Sequence, residues 1–171
     1  MSMERVAVVG GAGFVGQHLS VGLSSKGYEI LVIDNCADCP TILKGFEYRR
    51  ANITDEVAMK KAMSEFKPTV IIHLASMGMS GSSMLSPMCK TVNVHGTSKL
   101  IDMCVELCIP NLIYTSSYNV IYGGKPIING TESLPYFPID QHTDQYGPTK
   151  AMAEQLVLKA NGRKLKNYNT F

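Results

Sequence analysis

The chain has no run of like charge, no long apolar stretch and no repeated or low-complexity tract. Its 16 basic and 14 acidic residues are scattered and leave a net charge of +2. Nothing here forms the dense phosphate-binding stripe that nucleic-acid recognition requires, which argues against a nucleic-acid partner. A membrane span needs roughly 18 consecutive apolar residues, and no stretch approaches that, so none is expected in this segment. The opening "MSMERVAVVGG" runs straight into a strand-like pattern. It lacks the apolar region and small-residue cleavage site of a signal peptide, so a cytoplasmic location is expected for this segment.

Metal-ligand spacing is missing as well. The five cysteines, Cys36, Cys39, Cys89, Cys104 and Cys108, are an odd number in a chain without a secretion signal, which favours reduced thiols. Cys36 and Cys39 have C-x-x-C spacing, but no second ligand pair follows at finger spacing. They read as small loop residues after a strand, and no metal site is expected. Cys104 and Cys108 lie one helical turn apart among apolar neighbours and read as core. The sequons at Asn52 and Asn129 read as chance matches.

What is present is a hydrophobic content of 45% in 171 residues, enough for the core of one α/β domain. Short β-branched runs at 5–9, 29–34, 46–51, 69–75 and 111–117 alternate with helical patterns at 14–26, at 55–66 and from Ser86-Pro87 to Pro110. This alternation predicts a Rossmann-type, doubly wound parallel sheet with helices on both faces, as a single domain over residues 1–171. A last helix is expected at about 145–160, and "NYNTF" at 167–171 is a candidate sixth strand. Between them, residues 118–142 carry glycines and prolines without helical period, the mark of a functional or disordered loop.

"VVGGAGFVGQHL" sets Gly10, Gly13 and Gly16 after the first strand and at the mouth of the first helix. There the backbone N–H groups, those of Phe14 and Val15 included, approach a pyrophosphate and the helix N-terminus favours its charge. "ILVID" ends in Asp34, whose carboxylate suits both ribose hydroxyls of an adenosine. The same carboxylate repels a 2′-phosphate, and "NCAD" offers no arginine in exchange, so NAD is favoured over NADP. Tyr146 and Lys150 share a helix face at i and i+4. Pro148 is tolerated if that helix begins near Asp144 or Gln145. A free phenol, with a pKa of about 10, is a poor base at neutral pH. A nearby ammonium and an adjacent nicotinamide cation both favour the phenolate.

In order along the chain, "GGAGFVG", "HLAS", "NVHGT", "YTSS" and "YGPTKAMAEQ" resemble the extended short-chain dehydrogenases/reductases, and within them the 3β-hydroxysteroid dehydrogenase/isomerase-like branch. "GMSG" and "NGTESLPYFP" point towards its 42E subgroup. The resemblance covers essentially the whole chain. It implies Tyr146 as catalytic base or acid and Lys150 as its pKa partner and ribose contact. Ser117 is implied as the hydrogen-bond partner of the substrate oxygen, with Ser116 as the alternative. Asn93 is expected near the cofactor or a relay water, or as a buried side chain bonding backbone. The backbone of Leu74, Ala75 and Ser76 should pass along the cofactor, with His73 a packed strand residue. Asn52-Ile53 stand where the family usually has Asp-Ile against adenine.

The implied function is NAD-dependent oxidation of a secondary hydroxyl on a steroid-like small molecule, and a homodimer is compatible with it. A nucleotide-sugar epimerase or dehydratase uses the same triad and is the nearer alternative; a non-catalytic cofactor-binding fragment is the other. Relatives continue into a C-terminal substrate domain expected to be absent here, and any membrane anchor would lie in a longer form. The 171-residue chain alone is therefore expected to show little steroid turnover. Met77, Met79, Met84 and Met88 read either as lining for a flat apolar ligand or as flexible filler.

Overall fold

The computed structural model describes residues 4–165; the candidate strand at 167–171 lies outside them. Five strands, β1 (Arg5–Val9), β2 (Glu29–Asp34), β3 (Glu47–Arg50), β4 (Val70–His73) and β5 (Asn111–Tyr114), form one sheet in the order β3-β2-β1-β4-β5. Every pairing is parallel, with Val6 opposite both Ile30 and Val70. The strand order reverses between β1 and β4, and the crevice beyond their carboxyl ends is where open α/β sheets place ligands.

Strand side chains alternate between faces, and both faces are buried. Ala7, Val9, Leu31, Ile33 and Ile71 pack on Met59, Ala62, Met63 and Phe66 of α2 (Glu56–Phe66) and on Leu100, Met103 and Cys104 of α3 (Thr97–Glu106). Val6, Val8, Ile30, Val32 and Ile72 face the other way, onto Leu19 and Leu23 of α1 (Phe14–Ser24) and onto Leu43. The doubly wound arrangement follows from near-continuous apolar strands, which only helices on both faces can cover. A fourth helix, α4 (Tyr146–Ala160), packs against α3.

Element ends differ from the sequence pattern by a few residues. The helix at 14–26 stops at Ser24, the run at 69–75 narrows to β4, and the run at 111–117 ends at Tyr114. The long helix starts as expected, with Cys89 N–H donating to the Ser86 carbonyl at 3.0 Å. It is not uniform, however. Lys90–Gly96 winds as a π-helix before α3 begins, an arrangement often found at functional sites. The wider turn brings Asn93 and Gly96 inward, and Thr97 Oγ1 donates to the Asn93 carbonyl at 2.6 Å. Residues 118–142 hold two short 3₁₀ turns, Tyr118–Val120 and Ile139–Gln141. The connection is tied down by Phe137 N–H on the Val120 carbonyl at 2.9 Å.

Candidate active site

The glycine loop joins β1 to α1 across the mouth of the crevice. Gly10 has φ +83°, and a Cβ placed on it would stand 2.5 Å from the Ala75 nitrogen. The loop thus lies directly against the backbone beyond β4. Gly16 serves packing: a Cβ there would be 2.5 Å from the Gly11 Cα, so α1 sits hard on the loop. The first helical bond runs from Gln17 N–H to the Gly13 carbonyl at 3.0 Å. The N–H groups of Phe14, Val15 and Gly16 precede it and have no acceptor within the helix. No side chain caps this terminus and no acid occupies its first turn, so it is electrostatically open to an anion. The side chains of Phe14 and Val15 are exposed; these two residues enter the site as backbone donors.

Asp34, at the tip of β2, already organises the loop. Its Oδ2 accepts from Ala12 N–H and its Oδ1 from Cys36 N–H, both at 3.0 Å. Each oxygen keeps a lone pair. A cleft of about 470 Å³ extends from here, lined among others by Gly10, Gly13, Asp34, Asn52, Ile53, Leu74, Ala75 and Ser76. Eight residues singled out by sequence thus meet in one crevice. Asn52 Oδ1 also accepts from the Thr54 N–H and hydroxyl, at 3.1 and 2.9 Å, so its amide orientation is fixed by the following turn. These residues fit a dinucleotide: a donor-rich helix terminus, a glycine cradle that a Cβ would fill, and a carboxylate with acceptor capacity to spare.

Tyr146 opens α4, where Gly147 N–H donates to Asp144 Oδ1 at 2.8 Å. Pro148 is therefore within the first turn and costs no helical bond. The segment after β4 reaches over this terminus, with Gln145 N–H donating to the Met84 carbonyl at 2.7 Å. The methionine-bearing loop thereby abuts the catalytic tyrosine candidate. Tyr146 and Lys150 are both buried.

Lys150 Nζ donates to the Thr115 carbonyl at 2.6 Å and stands 4.1 Å over the Tyr114 ring. Burial pushes its pKa down to about 8, against a smaller upward pull from Glu154. The unfolded chain holds that proton up to the ordinary lysine range, so between about pH 8 and 10 it binds more protons than the folded chain, and stability gains with pH. The stability of the parent relative to Lys150→Met should therefore rise across that window in denaturant titrations. A constant difference from pH 7 to 10 would mean that the ammonium is not held at a cost.

The two serines at the end of β5 diverge. Ser116 Oγ donates to Glu154 Oε2, whereas Ser117 Oγ accepts from Asn119 N–H at 3.2 Å and keeps its own proton. Both also line a second cavity of about 870 Å³ with Tyr118, Ile121, Ile127, Leu134, Tyr136 and Leu158 among its walls.

Asn93 takes the backbone-bonding role. Its Oδ1 accepts from Met77 N–H at 2.8 Å, and its amide donates to the Met77 carbonyl at 2.9 Å and to Thr149 Oγ1 at 3.0 Å. Both amide protons are used, leaving only an Oδ1 lone pair for any further contact. The side chain joins the π-turn, the methionine-bearing loop and α4. His73 is a packed strand residue: it is fully buried, with Nε2 at 2.9 Å from Thr97 Oγ1. Since that hydroxyl donates to Asn93, it accepts from His73. Burial, helped by the Lys150 charge, pushes the imidazole pKa down to about 3, and the ring stays neutral through the physiological range.

Tyr114, Thr115, Thr149, Glu154 and Tyr136 also belong to this neighbourhood. None of the five was singled out in the sequence, although Tyr114 and Thr115 open "YTSS" and Thr149 and Glu154 lie within "YGPTKAMAEQ". Among the described residues no helix is long and apolar enough to cross a membrane.

Residues 7–171 match the 3-beta hydroxysteroid dehydrogenase/isomerase family. Human short-chain dehydrogenase/reductase family 42E member 1 is 39% identical over 163 residues, which is 95% of this chain and 42% of that protein. A Candida albicans sterol-4-alpha-carboxylate 3-dehydrogenase, decarboxylating, is 33% identical over 94% of this chain and 47% of its own length. The chain thus spans less than half the length of these relatives. Among solved structures, the Thermus thermophilus UDP-glucose 4-epimerase in complex with NAD superposes with a TM-score of 0.80 at 30% identity, over 91% of this chain and 50% of that one.

Proposed function

The chain belongs to the 3-beta hydroxysteroid dehydrogenase/isomerase family, and on that premise we propose that its crevice binds NAD and serves oxidation of a secondary hydroxyl on a steroid-like substrate. The observation that carries the reading is the meeting of glycine loop, Asp34 and the backbone beyond β4 in one cleft at the β1/β4 reversal. The N–H groups at the start of α1 hold the pyrophosphate, and Asp34 accepts from the adenosine ribose. Bound NAD supplies the hydride acceptor. Tyr146 takes the hydroxyl proton, and Lys150, with Nζ protons beyond the one given to Thr115, holds the nicotinamide ribose. Ser117 orients the substrate oxygen, because the Ser116 proton is committed to Glu154. An epimerase acting on a nucleotide sugar is the second reading, supported by the likeness to the Thermus enzyme, whose name and NAD complex describe that protein.

The cofactor half is tested by titration calorimetry. NADH is expected to bind more tightly than NADPH. Asp34→Ala should weaken NADH by about 10- to 100-fold, the worth of hydrogen bonds to a charged group, and narrow the discrimination. Tighter NADPH binding by the parent would overturn the assignment.

A further inference from the structure

We propose that Glu154 is a positioning residue of this site, a role that rests on reading Ser117, Tyr146 and Lys150 as its working groups. One carboxylate reaches three elements. From α4, its Oε2 accepts from Ser116 at the end of β5, and its Oε1 accepts from the Tyr136 hydroxyl at 2.7 Å. Ser116 is thereby turned towards α4 with its proton engaged, whereas the adjacent Ser117 hydroxyl accepts from Asn119 N–H at 3.2 Å and keeps its own proton. Tyr136 lies in the 118–142 connection, so the same carboxylate ties that connection to the helix carrying Tyr146 and Lys150.

Charge is the second part of the role. Glu154 lies four residues beyond Lys150, on the same helix face. Among the described residues, the titratable groups that act on the Lys150 ammonium or lie against it are Glu154 on α4, Tyr114 on β5 and His73 on β4, with Tyr146 one helical turn before it. His73 is neutral, and burial with neighbouring negative charge pushes the Tyr114 phenol above its ordinary value. Among the described residues, Glu154 is thus the group that supplies negative charge to Lys150, and it opposes the loss of the ammonium through burial. A surface glutamate at the end of a helix does neither of these things.

Two variants separate charge from tether. Glu154→Gln keeps an oxygen and a nitrogen in place, and the two hydroxyls can each donate or accept, so contacts persist while the charge is gone. Nitrogen-detected NMR of Lys150 Nζ is expected to show its titration moved down by at least about half a pH unit. Glu154→Ala also removes the tether, and amide exchange across residues 116–121 is expected to accelerate by at least about tenfold. An unchanged Lys150 titration in the Gln variant, or unchanged exchange in the Ala variant, would overturn the proposal.

If the Ala variant does not fold, Tyr136→Phe decides. It keeps the charge and the Ser116 bond, and should accelerate exchange across 131–138 with Lys150 titrating as in the parent; unchanged exchange there counts against the tether. None of these readouts uses cofactor or substrate. A chain that binds NAD but shows neither effect refutes the Glu154 role alone, and one that shows both effects without binding NAD refutes the proposed function instead.

Discussion

Tyr146→Phe is expected to abolish oxidation in any preparation that oxidises a 3β-hydroxysteroid, while leaving NAD affinity within about twofold of the parent, since the change removes one oxygen and a general acid–base group contributes about 10²- to 10⁴-fold. The ring stays, so packing at the start of α4 is preserved where Tyr146 is buried. The loss should fall on kcat, as for an interaction made in the transition state. Lys150→Met should impair both turnover and NAD affinity, because the ammonium is expected both to face the reacting groups and to hold the nicotinamide ribose. Near-parental turnover in the Phe variant would remove Tyr146 from the mechanism.

The second large effect is expected at Gly10. Gly10→Ala places a methyl 2.5 Å from the Ala75 nitrogen and 2.7 Å from its Cα, in backbone at φ +83°. Neither neighbour is the end of a flexible side chain, so β1 and the segment after β4 must separate. A strained backbone position costs about 1–3 kcal/mol before any overlap is counted, and a total loss of at least about 3 kcal/mol is expected in urea unfolding. Because Gly10 N–H also donates to the Ile33 carbonyl at 2.8 Å, the shift should reach Asp34 and weaken NAD binding even where the variant folds. A variant with parental midpoint and affinity would show that the close approach is not needed.

The parts that could be read in the sequence are those fixed by local chemistry. Strand-like runs ending in a glycine loop and in Asp34 specify their own neighbourhood, and the β1/β4 crevice is lined by Asn52, Ile53 and Leu74 to Ser76 as well. Pro148 fixed the start of α4 closely, because only a first-turn position suits it. The π-turn at Lys90–Gly96 was not readable. The π segment leaves the apolar period of the following helix intact, and the bonds that Asn93 makes from it go to Met77 and Thr149, 16 and 56 residues away along the chain. Ser116 and Ser117 could not be separated because two adjacent serines carry the same hydroxyl, and the Glu154 bond that distinguishes them crosses 38 residues. Tyr114 and Thr115 were missed for the same reason: their partner, Lys150, meets them only once α4 packs on the sheet.

NAD is proposed to lie across the β1/β4 crevice with its nicotinamide end at Tyr146 and Lys150. The most direct test of this placement is an NMR titration of the chain with NAD, following backbone amides and Lys150 Nζ together. The amides of Phe14, Val15 and Gly16, those of Leu74 to Ser76 and the Lys150 Nζ resonance are all expected to shift along one saturating curve. Shifts confined to the cavity bounded by Ile127, Leu134 and Leu158, or saturation without any response from Phe14 to Gly16 and Lys150, would contradict it.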